Sequence, residues 1–384
     1  MTYRTLFPFA CNDEHTSHPP FSLTRHLALT DLRAELWVMR RGPAARADFV
    51  RTPIPGIAHS CLFRLNKALH PGGDWPRSIL ESSYVRAFRE GDAAHVYRGC
   101  STALMRALRQ RGCVVFLERI NTMDHTAKRL IEDAYARRGW PLEHTYTDGV
   151  LAAQQAQAEA ADFIFSPSPA VTESLLDCDV PARRILSCSY GWDPARYRAT
   201  TRALPQIDGV TVLFVGGIGV RKGAHLLLDA WSRARIRGRL VLLGRMEPTV
   251  EKHCAHHLAR DDVIHLSYTR DTGSVYRAAD VFAFPTLEEG SPLVSYEAMG
   301  HGLPALISPI GAGSVIRDGK EGLVVDPHDE DAWVEALRKL AGDADLRRDM
   351  GDAARARAAD YTWDKVAARR YRLIKEALGS RKNA

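Results

Sequence analysis

Two glutamates with seven residues between them, Glu289 and Glu297, flank the start of a predicted helix. Ser291 is a favourable N-cap residue and Pro292 suits the first helical position. The free N–H groups at such a helix start attract phosphate. At 1.5 Å per residue Glu297 lies roughly 7 Å along the helix, whereas Glu289 lies on the loop before it. A phosphate bound here would have one carboxylate on each side.

Carboxylates repel phosphate, but they accept hydrogen bonds from hydroxyl groups. Hydroxyls on both sides of a phosphate are a feature of nucleotide sugars. The apolar residues around Leu293 predict a largely buried helix, and a buried carboxylate such as that of Glu297 needs a partner. The spacing therefore predicts a nucleotide-sugar site, with Ser291, Pro292 and Leu293 at the phosphate.

A second group of candidate residues follows the predicted strand 210–215. Gly216 and Gly217 begin a glycine-rich turn, and Arg221 and Lys222 come soon after them. The glycine spacing does not fit the dinucleotide fingerprint GxGxxG, and a tight turn alone would explain the glycines. Breaking the bond to a diphosphate gathers negative charge on the leaving group, which fixed cations stabilise. Arg221 and Lys222 are therefore predicted to do this in place of a metal ion, since no Asp-x-Asp pair stands near a strand end.

Residues 286–300, which contain the two glutamates, resemble the Glu-x7-Glu signature of glycosyltransferase family 4. These are retaining nucleotide-sugar transferases of the GT-B fold, also known as glycosyl transferases group 1. Further segments resemble the family in its usual order: residues 162–175, 190–193, 214–223, 302–308 and 361–363. Each segment is a modest match alone, but together and in this order they are specific.

The resemblance implies an α/β protein with two Rossmann-like parallel-sheet domains that face a central cleft. Residues 1–199 are expected to bind the acceptor, and residues 209–360 the nucleotide sugar. Residues 200–208 form the expected linker, and residues 361–384 are expected to form a helix that returns to the first domain.

The residue pattern supports this organisation most clearly in the second half of the chain. Apolar runs alternate there with helix-like segments, which predicts a parallel sheet covered on both faces. The predicted strands are residues 210–215, 240–243, 263–266, 281–284, 305–307 and 323–325. The first half gives weaker signals, with candidate strands at residues 5–10, 35–39, 94–97, 114–117 and 163–166. A helix is predicted at residues 126–138, and residues 40–74 are interpreted as irregular surface or acceptor-binding loops.

By the resemblance, Glu289 contacts hydroxyls of the donor sugar and Glu297 contacts the ribose. Glu288 is expected either to contact the ligand-binding residues without touching the ligand or to lie exposed. Family members often have arginine where this chain has Gly217, so the diphosphate is expected to depend more on Arg221. Residues 267–269 are candidates for the contact with the base.

The family is thought to use a route in which the leaving phosphate takes the acceptor's proton on the same face of the sugar, so no nucleophile is nominated. Many relatives place a histidine near the reacting carbon, after a strand of the first domain. The corresponding region here offers His125, Glu118 and Arg119 as candidates.

Length and composition indicate the number of domains and the cellular location. With 384 residues the chain is long enough for two domains, no apolar run approaches the roughly 20 residues of a membrane span, and the N-terminus does not resemble a signal peptide. The seven cysteines are scattered without a CxxC pair and are expected to be reduced. These features predict a cytoplasmic protein. The histidines at 253, 256 and 257 have spacings that could hold zinc, but a solvated helix face explains them better, and no metal site is predicted.

The net charge of +6 is uneven, since residues 1–67 carry nine Lys or Arg against five acids. A solvated surface is the simpler explanation. The alternative is a basic rim that contacts an anionic membrane or a diphosphate-linked acceptor, and contact with a membrane would make the protein membrane-associated at its surface. Nucleic acid is not a predicted partner, because no aromatic residues are interleaved with the charge.

The residues thus predict a retaining, metal-independent glycosyltransferase with a nucleoside-diphosphate-sugar donor, a glycan, lipid-linked or small-molecule acceptor, no cofactor, and a place in polysaccharide or glycoconjugate synthesis. A sugar-nucleotide epimerase or a phosphorylase on the same fold remains an alternative, and a phosphorylase would need a pyridoxal-binding lysine. A third possibility is a degenerate transferase that serves as a binding module, against which the pairs Arg221/Lys222 and Glu289/Glu297 speak.

Overall fold

Two parallel β-sheets organise the chain in this computed structural model. The structure describes residues 1–54, 56–69, 74–143, 146–197, 200–269 and 271–382. The first sheet uses strands from residues 3–187 and the second uses strands from residues 210–324.

The first unit has seven strands and seven α-helices within the described residues. Its strands are β1 (Tyr3–Cys11), β2 (Glu35–Arg41), β3 (Val50–Arg51), β4 (Ala93–Val96), β5 (Val114–Glu118), β6 (Phe163–Ser166) and β7 (Ile185–Ser187). Its helices are α1 (His18–Leu27), α2 (Gly56–Leu69), α3 (Trp75–Ala87), α4 (Thr102–Gln110), α5 (Asp124–Arg138), α6 (Asp148–Ala160) and α7 (Pro169–Leu176). The strands pair in the order β3-β2-β1-β4-β5-β6-β7, and every pair is parallel.

The second unit repeats this plan. Its strands are β8 (Val210–Val215), β9 (Gly238–Leu243), β10 (Val263–Leu266), β11 (Val281–Phe284), β12 (Ala305–Ile307) and β13 (Gly322–Val324). Between and after them lie α8 (Ala224–Ala234), α9 (Pro248–His253), α10 (Ala255–Leu258), α11 (Thr272–Tyr276), α12 (Leu293–Gly300), α13 (Pro309–Ala312), α14 (Glu330–Gly342), α15 (Ala344–Ala358) and α16 (Trp363–Lys382). The strand order is β10-β9-β8-β11-β12-β13, again all parallel.

Parallel strands covered on both faces are apolar along their whole length, and β8, β11 and β12 are buried at every position. The strand order reverses between the neighbours β8 and β11, and that switch point is where ligands bind in such sheets. The predicted turn at Gly216 and the predicted helix start follow β8 and β11, so the fold brings them to this one place.

The last helix, α16, returns to the first unit and packs on α1. The chain crosses between the units where Trp192 forms a parallel bridge with Thr362. Gly191 is required there, because a Cβ on it would overlap the backbone oxygen of Tyr361. Two Rossmann-like units therefore share one terminal helix, and the expected α/β architecture of two parallel-sheet domains is present.

The strand predictions agree with the structure to within about two residues, but two local interpretations do not. The segment 40–74 is not simply irregular, because it contains β3 and the helix α2. The helix of the signature begins at Leu293 and includes Gly300, whose missing side chain admits the Trp192 ring. It ends at Gly300, and Gly302, two residues further on, has a φ of 71°.

Candidate functional site

A cavity of about 570 Å³ lies between the two units, where the second sheet has its switch point. The first unit and the crossing segment contribute Glu14, His18, Gly191, Trp192, Asp193, Arg196 and Tyr197. The second unit contributes Val215, Gly216, Leu243, Gly244, Arg245, Ser267, Tyr268, Thr269, Thr272, Leu293, Val294 and Glu297. The volume of the cavity is in the range of known ligand pockets. Of the residues predicted from the sequence, Gly216, Leu293, Glu297 and residues 267–269 line it.

The glycine-rich turn after β8 lies beside this cavity. Gly216 has a φ of 141°, and its N–H donates to the Leu243 carbonyl at 2.9 Å. A Cβ on Gly219 would overlap the carboxylate of Glu247. Gly223 has a φ of 69° at the start of α8, and a side chain there would overlap the backbone of Pro285. These glycines meet backbone and packing demands, as their structural interpretation predicts.

The turn places Lys222 against Glu289, the first glutamate of the signature. Their side chains form an ion pair between Nζ and Oε1, and each is about one-tenth exposed. Burial lowers the pKa of Lys222 well below its ordinary value, and the neighbouring Arg221 lowers it further, while Glu288 and Glu247 oppose the shift. The nearby carboxylates thus favour the charged ammonium, against the larger effect of burial.

Arg221 contacts the adjacent glutamate, Glu288, as well as Glu289. Its Nη1 donates to the Glu288 Oε2 at 3.0 Å and to the Glu288 backbone oxygen at 3.1 Å, and it lies 3.7 Å from the Glu289 Oε1. The side chain of Arg221 is 36% exposed. The two predicted cations and Glu289 therefore form one cluster, in which Arg221 keeps an accessible face.

Glu288 is fully buried, so the alternative in which it lies exposed is wrong. Its Oε1 accepts from Thr122 Oγ1 at 2.9 Å, and its Oε2 accepts from Asn121 Nδ2 at 3.1 Å. Both donors belong to the first unit, in the loop after β5. Sequence reasoning missed this contact because the partners are 166 and 167 residues away.

The start of α12 differs from the expected cap. The N-cap residue is Pro292, with no side-chain cap, and the Ser291 Oγ pairs with the Tyr296 hydroxyl at 2.6 Å instead. Neither Ser291 nor Pro292 lines the cavity, although Leu293 does. The helix start still lies at the cavity wall, but Ser291 is occupied by an internal hydrogen bond.

Glu297 faces the cavity from the middle of α12 and is held by tyrosines. The hydroxyl of Tyr276 donates to its Oε2 at 2.8 Å. Burial raises the pKa of Tyr197, and the charge of Glu297 and a hydrogen bond to it raise that pKa further. A carboxylate has about four acceptor sites, so two tyrosines leave Glu297 able to accept from a ligand's hydroxyls.

The three candidates for the reacting carbon have different positions. Glu118 is buried in the first unit and accepts two hydrogen bonds from Arg370, which lower its pKa to about 2 against the raising effect of burial. Arg119 is buried as well, with its Nη2 donating to the Thr122 backbone oxygen, and burial lowers its pKa to about 10. His125 is exposed on α5 and lines a separate cavity with Cys178. Of the three, Arg119 lies near enough to Glu288, the partner of Arg221, for the charge of that carboxylate to oppose the shift of its pKa.

Sequence reasoning missed the wall that the first unit supplies. His18, at the start of α1, pairs with Asp13 at 2.7 Å and with Arg196 Nη1 at 2.7 Å, and accepts from Trp363 Nε1 at 2.9 Å. Glu14 lines the cavity beside it. Their place in the chain could have identified them, because these residues follow the carboxyl end of β1, and parallel sheets bind ligands at the carboxyl ends of their strands.

The histidines considered for zinc have other partners. His253 stacks on Trp140 with ring centroids 4.7 Å apart. His257 pairs with Asp229 at 2.8 Å and with Ser232 at 2.7 Å. In the described part of the chain, no group of three or more metal-binding side chains comes together. Within the same residues, no helix combines the length and apolar composition that crossing a bilayer requires.

Solved structures confirm the class of fold. The structure superposes on sucrose-phosphate synthase from Thermosynechococcus elongatus with a TM-score of 0.72 at 19% identity, covering 99% of this chain and 100% of that one. It superposes on the Anabaena protein HepE in complex with UDP with a TM-score of 0.67 at 15% identity, covering 99% and 100%. At these identities the likeness concerns the fold alone, and that fold is GT-B.

Sequence comparison gives related proteins. Residues 209–343 match the family described as glycosyl transferases group 1. It is 30% identical over 203 residues to the D-inositol 3-phosphate glycosyltransferase of Corynebacterium kroppenstedtii, covering 49% of this chain and 45% of that protein. The enzyme of the same name from Saccharomonospora viridis is 27% identical over 279 residues, covering 67% and 64%. The chain thus spans between about half and two thirds of the length of these curated relatives.

Proposed function

We propose that this protein is a retaining glycosyltransferase that moves a sugar from a nucleoside-diphosphate sugar to a hydroxyl group of an acceptor. The observation that carries the proposal is the arrangement around the cavity between the units. The cavity places Gly216, Leu293 and Glu297 together, with Arg221 and Lys222 beside them in the turn after β8. The family match over residues 209–343 and relatives named as glycosyltransferases support the same reaction class.

In the proposed complex the nucleoside occupies this cavity. Residues 267–269 contact the base, and Glu297 accepts hydrogen bonds from the ribose hydroxyls. The backbone at Gly216 lets the diphosphate approach closely, because the residue has no side chain. The structural neighbour HepE from Anabaena forms a complex with UDP-glucose, which supports a donor of this type.

The cluster of Arg221, Lys222 and Glu289 is proposed to act on the leaving group and the sugar. The bond between the anomeric carbon and the phosphate oxygen breaks, and the two cations stabilise the charge that develops on the diphosphate. The acceptor oxygen bonds to the same face of the anomeric carbon, and its proton moves to the leaving phosphate oxygen. Glu289 accepts hydrogen bonds from the sugar hydroxyls. Its carboxylate would then bind Lys222 and the sugar at the same time.

The acceptor is proposed to bind against the first unit, with a role in polysaccharide or glycoconjugate synthesis. Curated relatives are named for an inositol phosphate, a small polyol, which supports a hydroxylated acceptor. A lipid-linked acceptor at a membrane surface fits the excess of basic residues in positions 1–67.

A panel of nucleotide sugars tests the proposal. Thermal shift identifies the donor, because a ligand at 100 times its dissociation constant adds about 2.7 kcal/mol to the free energy of unfolding. Incubation of that labelled donor without acceptor should then give slow hydrolysis. Binding without any turnover, with or without a panel of acceptors, would indicate a binding module and contradict the proposal. Pyridoxal absorbance in the purified protein would indicate a phosphorylase.

The proposal includes independence from metal ions. Arg221, Lys222 and the start of α12 supply positive charge at the diphosphate, so donor turnover should be the same with and without EDTA. Loss of turnover in EDTA that is restored by a divalent cation would contradict this part of the proposal.

A further inference from the structure

A buried contact between the two units at the site runs through a single carboxylate. Glu288 lies on the loop between β11 and α12 and is 1% exposed. Its three side-chain donors come from opposite sides of the cleft: Asn121 and Thr122 from the first unit, and Arg221 from the second. A buried carboxylate is stable only with such partners, so Glu288 depends on both units being together.

The loop that carries Glu288 is pressed against the first unit. A Cβ on Gly290 would overlap the backbone oxygen of Ile120, so the two backbones meet without an intervening side chain. If the units separated here, Glu288 would lose two of its three side-chain donors, while its contact with Arg221 lies within one unit and would remain. The hydrogen bonding of Glu288 therefore depends on whether the cleft is closed.

The contact of Glu288 with the first unit can affect the reaction through Arg221. Its Nη1 is bound to Glu288 twice, once through the carboxylate and once through the backbone oxygen. The backbone oxygen of Arg221 in turn accepts from the Leu287 N–H at 2.9 Å. The guanidinium orientation is thus fixed by the loop, and the loop is fixed by the first unit.

We propose that Glu288 is a positioning residue that orients Arg221 towards the leaving group only when Asn121 and Thr122 of the closing first unit bind it. This inference rests on the proposed transferase function. Closure would then supply oriented positive charge at the moment the acceptor side of the site is complete. In a molecule whose cleft is open, a donor bound to the second unit would meet a less ordered Arg221, and its hydrolysis would be slow.

A double-mutant cycle tests this coupling. Glu288→Gln keeps the shape but loses the charge, and it should lower kcat by about tenfold while changing affinity for the bare nucleoside diphosphate by less than about twofold. Adding Glu288→Gln to Arg221→Ala should lower kcat by no more than about twofold further, because residues that act through one another are non-additive. Additive losses, or wild-type kcat in Glu288→Gln, would overturn the inference.

The donors in the first unit give an independent arm. The double variant Thr122→Val/Asn121→Ala leaves both Glu288 and Arg221 in place, and it should lower kcat as Glu288→Gln does. Glu321→Gln is the matched control, since Glu321 is also buried and bound to an arginine, Arg317, but lies within one unit. It should lower thermal stability and leave kcat unchanged.

Small-angle X-ray scattering provides a readout that does not need turnover. The ligand-free wild-type protein should be more compact than the Thr122/Asn121 double variant, whereas Glu321→Gln should match the wild type. Equal compactness of the double variant and the wild type would overturn the closure part of the inference. A wild-type protein that turns over no nucleotide sugar would refute the proposed function, whereas an active wild type with additive effects would refute this inference alone.

Discussion

Glu118 in the first unit and Glu288 in the second are both buried and both bind an arginine, but the two arginines differ in their exposure to water. Glu118 accepts from both terminal nitrogens of Arg370 at 2.5 and 2.7 Å, and both side chains are essentially inaccessible. It also accepts from His95 and Tyr190, each at 2.9 Å. This cluster joins α16 to the first sheet and leaves no face for a ligand.

The cluster of Glu288, Glu289, Arg221 and Lys222 has a similar composition and an opposite exposure. Glu288 is as buried as Glu118, but the Arg221 side chain is 36% exposed at the cleft. Opposite charges balance each other here while one cation remains accessible. A fully buried arginine–carboxylate pair thus stabilises the fold. A pair whose arginine is partly exposed is instead a candidate for ligand binding.

The largest effect is expected from breaking the enclosed pair. Arg370→Met leaves Glu118 charged and buried without its main partner, and should lower the free energy of unfolding by about 3–5 kcal/mol in urea denaturation. Lys375→Met, on the same helix, removes an exposed pair with Asp31 and should lower the free energy of unfolding far less. Similar losses in both variants would contradict the distinction between the two kinds of pair.

The enclosed pair should also show itself in the pH dependence of stability. The pKa of Glu118 is about 2 in the folded protein, below its ordinary value of about 4.3 in an unfolded chain. Its contribution, about 3 kcal/mol, is therefore fully present above about pH 5 and is lost as the pH falls towards 2. The stability difference between wild type and Glu118→Gln should shrink between pH 6 and pH 3 in urea denaturation. A difference that does not change with pH would show that the carboxylate is not the titrating group.

Breaking the open cluster should affect turnover rather than the fold. Arg221→Ala and Lys222→Ala should each lower turnover by at least about tenfold, which corresponds to about 1.4 kcal/mol of transition-state stabilisation. Circular dichroism should remain that of the wild type. Arg348→Ala, an exposed arginine on α15, is the control and should keep full activity. Wild-type turnover in both cleft variants would refute the assignment.

The smallest effects should separate the two glutamates of the signature. Glu289→Gln is expected to impair sugar transfer more than nucleotide binding, and Glu297→Gln to weaken the nucleotide chiefly, because of the two only Glu297 lines the cavity. Each loses charge-assisted hydrogen bonds, a difference of about 1–2 kcal/mol. Calorimetry with the bare nucleoside diphosphate measures this, since that ligand has a ribose and no transferred sugar. Equal losses of affinity would contradict the assigned roles.

The two halves of the chain differ in how well their sequence predicts them. In the second half every predicted strand is present, because strands covered on both faces are continuous apolar runs such as Val210–Val215. The first half includes α2, which was missed because residues 40–74 are rich in Pro, Gly and Arg and show little periodicity. The short strand β3 has two residues, too few to show a period of its own.

The same division applies within the site. The sequence by itself determined which residues belong to the turn after β8 and to the signature, since spacing along the chain places a charge relative to a strand end or a helix start. Only the tertiary structure decided how those charges are paired. Glu288 meets Thr122 and Glu118 meets Arg370, contacts that span 166 and 252 residues. Local sequence does not show which residues so far apart will meet. Burial and pairing decide whether a carboxylate stabilises the fold or contacts a ligand, and they follow only from the packing of the two units.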